Sequence, residues 1–184
     1  SQADLWEAVQ QVYDSFNANA ASGYSLDNMI ALSGITRYGE EPTRASCLFE
    51  GDNNILLGLT SKVSSSTTRR VFSLASTVSL NQYQASGIGI SVINVTNSAV
   101  YTIGYSQDGI SYTNVSITSD ASATAEEILA ALKTAFDTTT GGTFTTYYKN
   151  GLLFISRADP FQTVSFSNTS NLKVDKCIKL GIVN

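Results

Sequence analysis

The spacing of hydrophobic and polar positions divides the chain near residue 44. Between Gln2 and Phe16, apolar residues recur at steps of three and four, which predicts an amphipathic helix. Its apolar stripe comprises Leu5, Trp6, Val9, Val12 and Phe16. A second short helix is predicted from Ser25 to Ser33, because Ser25 can cap its start and Gly34 can end it. The first 43 residues are therefore expected to form a helical segment.

From Arg44 onward the pattern becomes strand-like, with short runs of apolar and β-branched residues between turn residues. In the first part the predicted strands are Ala45–Phe49, Ile55–Leu59, Lys62–Ser65, Arg69–Leu74 and Thr77–Leu80. In the second part they are Ile88–Val95, Val100–Tyr105, Ile110–Ile117, Phe144–Tyr148, Leu152–Ser156 and Thr163–Phe166. The tail from Leu172 to Val183 alternates and is expected to return to the earlier sheet.

Two local motifs carry the strongest structural information. Thr124 and Glu127 form a capping box, in which each side chain satisfies a free backbone N–H at the start of a helix. The predicted helix ends before Gly141-Gly142. Asn150-Gly151 between two strand-like runs favours a tight type I′ hairpin.

These elements predict an α+β fold. We expect an N-terminal helical segment (1–43) that leads into a β-rich domain formed by 44–86 and 167–184. A second unit of β-β-α-β-β pattern (87–166) is predicted as an insertion into it. Each unit is too small to bury its apolar face without the other or a partner.

Composition narrows the function further. The 184 residues are 42% hydrophobic but only 14% charged, the net charge is −4, and histidine is absent. Without clustered Lys and Arg, a nucleic-acid-binding function is not expected. The lack of histidine removes His-dependent catalysis and most catalytic zinc sites. No apolar run is long enough for a membrane span, so no membrane partner is expected.

Candidate chemical groups are explained better by structure than by catalysis. Glu40-Glu41 are sequence neighbours that would not face each other, and Glu126-Glu127 open the predicted helix. Asp52-Asn53-Asn54 lacks the later ligands of a calcium loop and is interpreted as a polar turn. We therefore expect no enzyme activity and no catalytic, metal or cofactor site.

The two cysteines, Cys47 and Cys177, are interpreted as reduced thiols, with a long-range disulfide as the alternative.

One stretch of the chain has a more specific pattern. Ala21-x-Gly23-x-x-Leu26-Asp27, then Gly34-x-x-Arg37 and the β run from Ala45, resembles the opening of the baseplate J-like family. These are baseplate wedge proteins of contractile-tailed bacteriophages, of Mu-like and T-even type. The similarity covers residues 4 to 80, and the later unit is similar to insertions found in phage tail proteins. Because family members are usually longer and this chain begins at Ser1, we expect a piece or a compact version.

The resemblance implies a structural virion protein of the tail baseplate, assembled in the host cytoplasm. It implies that two copies join a third protein in a wedge, and that six wedges surround a hub below the sheath-initiating subunits. Asp27 and Arg37 match family positions and are predicted, with the apolar helix stripe, to contact other subunits. For the stripe, packing on the chain's own β-domain is an equal alternative.

A tail-associated adhesin is the alternative function. Tyr147 and Tyr148 could line a glycan-binding sheet face, because tyrosine offers flat apolar area with a polar tip.

Overall fold

A computed structural model describes residues 5–10 and 43–184, and the chain divides into two units at the Pro42–Thr43 boundary. Residues 5–10 are helical. The second unit consists mostly of β-sheet with one long helix. Its elements are β1 (Ala45–Asp52), β2 (Ile55–Leu57), β3 (Lys62–Ser64), β4 (Val71–Ser73), β5 (Val78–Leu80), a 3₁₀ turn (Gln82–Gln84), β6 (Gly87–Val92), β7 (Val100–Ser106), β8 (Thr113–Thr118), α1 (Ala125–Thr140), β9 (Phe144–Lys149), β10 (Leu152–Arg157), β11 (Ser165–Asn168) and β12 (Leu172–Val183).

The main sheet has five strands in the order β1-β12-β6-β10-β9, all antiparallel. The predicted return of the tail is confirmed, because β12 pairs with β1 from Ala45↔Val183 to Asp52↔Lys176. On its other side β12 pairs with β6. One sheet therefore joins strands from both of the β units predicted from the sequence, and residues 43–184 form one compact unit.

A second sheet has three strands in the order β11-β7-β8. The helix α1 packs against β8 of this sheet and against β9 of the main sheet. Two small two-stranded sheets, β2-β5 and β3-β4, lie in the part before β6.

Both strong local motifs are confirmed. The Thr124 side chain accepts a bond from the Glu127 N–H, and the Glu127 carboxylate accepts one from the Thr124 N–H at 3.0 Å. Gly141 caps α1 in the left-handed conformation at φ 57°. The β9–β10 turn has positive φ at Asn150 (53°) and Gly151 (76°), as a type I′ turn requires.

Several predicted strand boundaries are wrong by a few residues. One such difference is at β8, for which the pattern predicts a start at Ile110 but which begins at Thr113. Residues 107–111 form instead a loop around the Asp108 carboxylate, which bonds the N–H groups of Ile110 and Ser111. Such local side chain–backbone bonds compete with the sheet ladder.

The core lies between the two sheets and α1. Phe136 of α1 packs edge-on against Phe144 of β9, with ring centroids 5.2 Å apart. Tyr105 of β7 contacts both rings, at 5.5 and 5.0 Å, and Phe144 reaches Phe166 of β11 at 6.1 Å. These aromatic contacts join both sheets and the helix in one core.

The central strand β6 needs glycine at position 89. A Cβ there would lie 2.9 Å from two ring atoms of Phe154 and 3.1 Å from the Cβ of Lys176. Replacing Gly89 by alanine should lower the free energy of unfolding by about 1–3 kcal/mol, because the Phe154 ring must shift. Urea denaturation measures the effect. Gly58 is the matched control, since its added Cβ would meet nothing closer than 3.9 Å, and an equal loss in both variants would contradict this explanation.

Candidate interaction surfaces

The predicted helix stripe is described in part. Leu5, Trp6 and Val9 lie in helical residues 5–10 and expose 68%, 75% and 49% of their surface. Leu5 and Val9 are one helical turn apart, so they share a side of the helix. These three side chains present contiguous apolar surface. The other predicted contact residues, Val12, Phe16, Asp27 and Arg37, lie outside the described residues.

An ion pair crosses the face of the main sheet that is turned away from α1. Lys149 of β9 and Glu50 of β1 are 2.6 Å apart, although β9 and β1 are the two edge strands of the five-stranded sheet. In a flat sheet these edges would be about 19 Å apart, four spacings of roughly 4.8 Å. The sheet is therefore strongly curled towards the face that carries this ion pair. The same concave face holds Phe154, which is only 1% exposed.

The two candidate tyrosines do not form one surface. Tyr147 stacks on Phe154 of the concave face, with centroids 5.2 Å apart and an interplanar angle of 5°. Burial raises the pKa of Tyr147, and the nearby Glu50 carboxylate adds to the rise. Tyr148 pairs with Leu153, whose side chain faces the core, so it points to the opposite side of β9. A glycan stacked on Tyr147 would therefore not reach Tyr148.

Apolar side chains are also exposed on the concave side of the sheet near its β1 edge. Leu48 of β1 is 56% exposed and Ile182 of β12 is 40% exposed. A second ion pair, Lys176–Asp52 at 2.6 Å, joins the same two strands. Hydrogen bonding to Lys176 and its positive charge lower the pKa of Asp52.

The polar turn at residues 52–54 serves the fold. Asp52 is ion-paired, and Asn53 bonds Gln82 through both its amide nitrogen (2.9 Å) and its carbonyl oxygen (3.1 Å). Asn54 has φ 66°, which asparagine tolerates in a turn. Within residues 5–10 and 43–184, no group of three or more Cys, Asp or Glu side chains could hold a metal ion.

Both cysteines are free thiols, as the sequence interpretation expected. Cys177 is buried in the core, and burial raises its pKa to about 12. Its Sγ donates to Asn53 Oδ1 at 3.3 Å. A thiol held protonated in this way is a poor nucleophile and ligand at neutral pH.

Arg157 is a buried cation at the end of β10 that sequence reasoning missed. It is 7% exposed and lies over the Phe144 ring, 5.2 Å from its centroid. One guanidinium nitrogen donates to Gln162, while Nε and Nη1 have no hydrogen-bond partner among the described residues. Alternation along the strand indicates only that position 157 can face inward, so a charged residue there could not be recognised as buried.

Asp108 organises the β7–β8 loop. Its Oδ1 accepts bonds from the Ser106 hydroxyl (2.6 Å) and from the N–H groups of Ser111 and Ile110 (2.8 Å each). These bonds lower the pKa of Asp108 from its ordinary 3.8 to about 2. Because the folded-state pKa is the lower one, this stabilisation is present above about pH 4 and is lost as the pH falls towards 2.

We expect the stability of Asp108→Asn to fall less than that of the natural chain between about pH 4 and pH 2, because asparagine has no carboxylate to protonate. Thermal melting temperatures at pH 7, 4, 3 and 2 measure it. Ser106→Ala, which removes the strongest donor, should instead shift the loss of stability to higher pH. Parallel pH curves for all three proteins would contradict this role of Asp108.

Among the described residues, no helix is both long and apolar enough to cross a membrane. No family model, curated protein or solved structure matches this chain.

Proposed function

We propose that this chain is a structural subunit of the baseplate of a contractile phage tail and acts by assembly. The supporting observation is the exposed apolar side of helical residues 5–10, formed by Leu5, Trp6 and Val9. An exposed apolar patch of this kind is typical of protein–protein contacts. The same helix opens the stretch that resembles the baseplate J-like family.

The proposed contact surface continues through Val12 and Phe16, with Asp27 and Arg37 as further contact residues. The proposed partners are a second copy, a third wedge protein, the hub and the sheath-initiating subunits. The low charge fraction of 14% supports this role, because the cores of such interfaces are depleted of charged residues. The proposal includes no catalytic step and no cofactor.

The proposed organisation places a helical segment (1–43) before a β-rich part, with the β-β-α-β-β segment (87–166) inserted into it. The pairing of β1 with β12 supports the insertion, because it brings residues 45–52 beside residues 176–183. The inserted segment then adds β6, β10 and β9 to the same sheet.

Immunogold electron microscopy of the particles that contain this chain tests the function. An antibody against the chain should label only the plate at the end of a contractile tail. Label at outlying fibre tips would favour the adhesin function instead, and label on no particle would reject both.

A further inference from the structure

Within residues 5–10 and 43–184, no strand pairs with the outer edge of β8. In the order β11-β7-β8, β7 is its only neighbour among the described strands. Thr102, which lies opposite Ser116, bonds Thr169 on the far side of β7. Its N–H donates to the side-chain Oγ1 of Thr169 (3.4 Å), and its carbonyl accepts from the Thr169 N–H (3.1 Å). Because antiparallel pairs alternate, Ser116 therefore directs its own N–H and C=O away from β7.

The same alternation applies along the strand. The Ser119 N–H donates to the Ala99 carbonyl at 2.9 Å, so odd-numbered residues of β8 bond β7. Asn114, Ser116 and Thr118 then present three N–H and three C=O groups at the open edge. Such an edge is a template for one more strand.

A groove lies between this edge and α1. It has a volume of about 770 Å³ and is lined by Asn114, Val115 and Ser116 on one side. The side chains of consecutive strand residues alternate between the two faces of a sheet. A groove lined by three consecutive residues therefore runs along the backbone of the strand. The volume is within the roughly 300–1,000 Å³ range of ligand sites.

The helix wall of the groove consists of small residues. Ala131 and Ala135 contribute methyl groups, and the wall also contains Thr134, Thr138 and Thr139. The three threonine hydroxyls donate to helix carbonyls four residues earlier, at 2.8 to 3.0 Å. The wall therefore leaves room for the side chains of a bound segment and competes little for its backbone bonds.

A smaller cavity of about 180 Å³ extends the groove beyond the end of β8 and shares Ala131 with it. Its lining residues include Asp120, whose Oδ1 accepts from the Ser122 N–H at 2.8 Å, and Glu127, whose carboxylate accepts from the Thr124 N–H in the capping box. Residues lining the two cavities include no Lys or Arg, and neither carboxylate forms an ion pair within the described part of the chain. Charge complementarity therefore favours a basic occupant at this end.

We propose that the groove binds an extended, basic segment of a partner protein, which adds a strand to β8 and places a Lys or Arg beside Asp120. Main-chain bonds to Asn114, Ser116 and Thr118 supply affinity. The acidic end of the groove determines the direction in which the segment binds and its preference for Lys or Arg. The six residues of β8 offer an edge of roughly 20 Å, enough for a segment of similar length. The inference does not depend on the proposed role in a tail.

A randomised ten-residue peptide display library, panned on the full chain, is the probe. Selected peptides should alternate β-branched residues and carry Lys or Arg near one end. In an NMR titration of the full chain, one selected peptide should shift the amide signals of Asn114, Ser116 and Thr118. A matched peptide with Glu in place of its basic residues should bind about tenfold more weakly.

Substitutions on the helix provide a matched pair. Ala131→Trp fills the groove at the junction of the two cavities and should weaken peptide binding by at least about tenfold. Ala130→Trp adds the same ring to a neighbouring exposed position that lines neither cavity, and should leave binding within about twofold.

Two further variants separate main-chain from charge recognition. Ser116→Pro removes an outward N–H without breaking the ladder to β7, and should abolish binding while the folded spectrum persists. Asp120→Asn should weaken binding and reduce its dependence on salt.

Three results would overturn the proposal. They are failure of the library to enrich, equal binding of selected peptides to Ala131→Trp, and peptide shifts confined to other strands. Concentration-dependent dimerisation through β8 without peptide, seen by sedimentation, would identify a second copy as the occupant instead.

Discussion

Replacing Phe136 by alanine should lower the free energy of unfolding by about 3–5 kcal/mol. The ring is fully buried and contacts Tyr105 of the three-stranded sheet and Phe144 of the main sheet. Its removal leaves a cavity where α1 meets both sheets, so the surrounding elements cannot collapse onto it without losing their pairing. Urea denaturation monitored by circular dichroism measures the change.

Phe161 is the matched control for this experiment. It has the same side chain but is 72% exposed, so Phe161→Ala should change stability by no more than about 0.5 kcal/mol. Equal losses in the two variants would show that the aromatic contacts of Phe136 do not hold the sheets together.

The double variant Trp6→Glu, Val9→Glu should abolish incorporation of the chain into particles while the β-unit stays folded. Both side chains are exposed and apolar, and charges there would oppose burial against another subunit. Incorporation is measured by immunoblot of purified particles from cells in which the variant replaces the natural chain. Far-UV circular dichroism of the variant checks the sheet.

The control for the double variant is Glu7→Lys. Glu7 is exposed in the same helical residues but lies about 100° from Trp6 and about 160° from Val9 around the helix axis, away from the apolar side. It should be incorporated normally. If Trp6→Glu, Val9→Glu is also incorporated normally, the apolar stripe is not part of the assembly interface.

Predictions that rested on neighbouring residues were confirmed. Thr124 and Glu127 lie three residues apart, and their mutual bonds need only one helical turn. Asn150-Gly151 adopts positive φ because asparagine and glycine tolerate it, and this reverses the chain between β9 and β10. Such motifs are complete within a few residues, so they can be recognised without the rest of the fold.

The partners of each strand could not be predicted in the same way. Alternating apolar residues show which face of a strand is buried, but not which strand lies beside it. Nothing local to β6 indicates that it lies between β12 and β10. The Glu50–Lys149 pair joins residues 99 positions apart, and it exists only because the main sheet curls.

The candidate surfaces depended on both kinds of information. The apolar stripe containing Leu5, Trp6 and Val9 followed from helical periodicity, but only the structure shows that these three side chains are exposed. For Tyr147 and Tyr148, the register with Phe154 and Leu153 places them on opposite faces. The groove beside β8 had no sequence motif, because it arises where a strand edge and a helix of small residues meet.

The sequence by itself determined the β-rich composition of residues 43–184, the helix α1, the β9–β10 hairpin and the return of the tail as β12. Each depends on periodicity or on short-range backbone chemistry. Tertiary structure decided the strand order, the union of both predicted β units in one sheet, the curl over Phe154 and the open edge of β8. These features depend on contacts between residues far apart in the chain. Local patterns allow many strand pairings, and the packing of α1 and the core side chains against both sheets at once selects one of them.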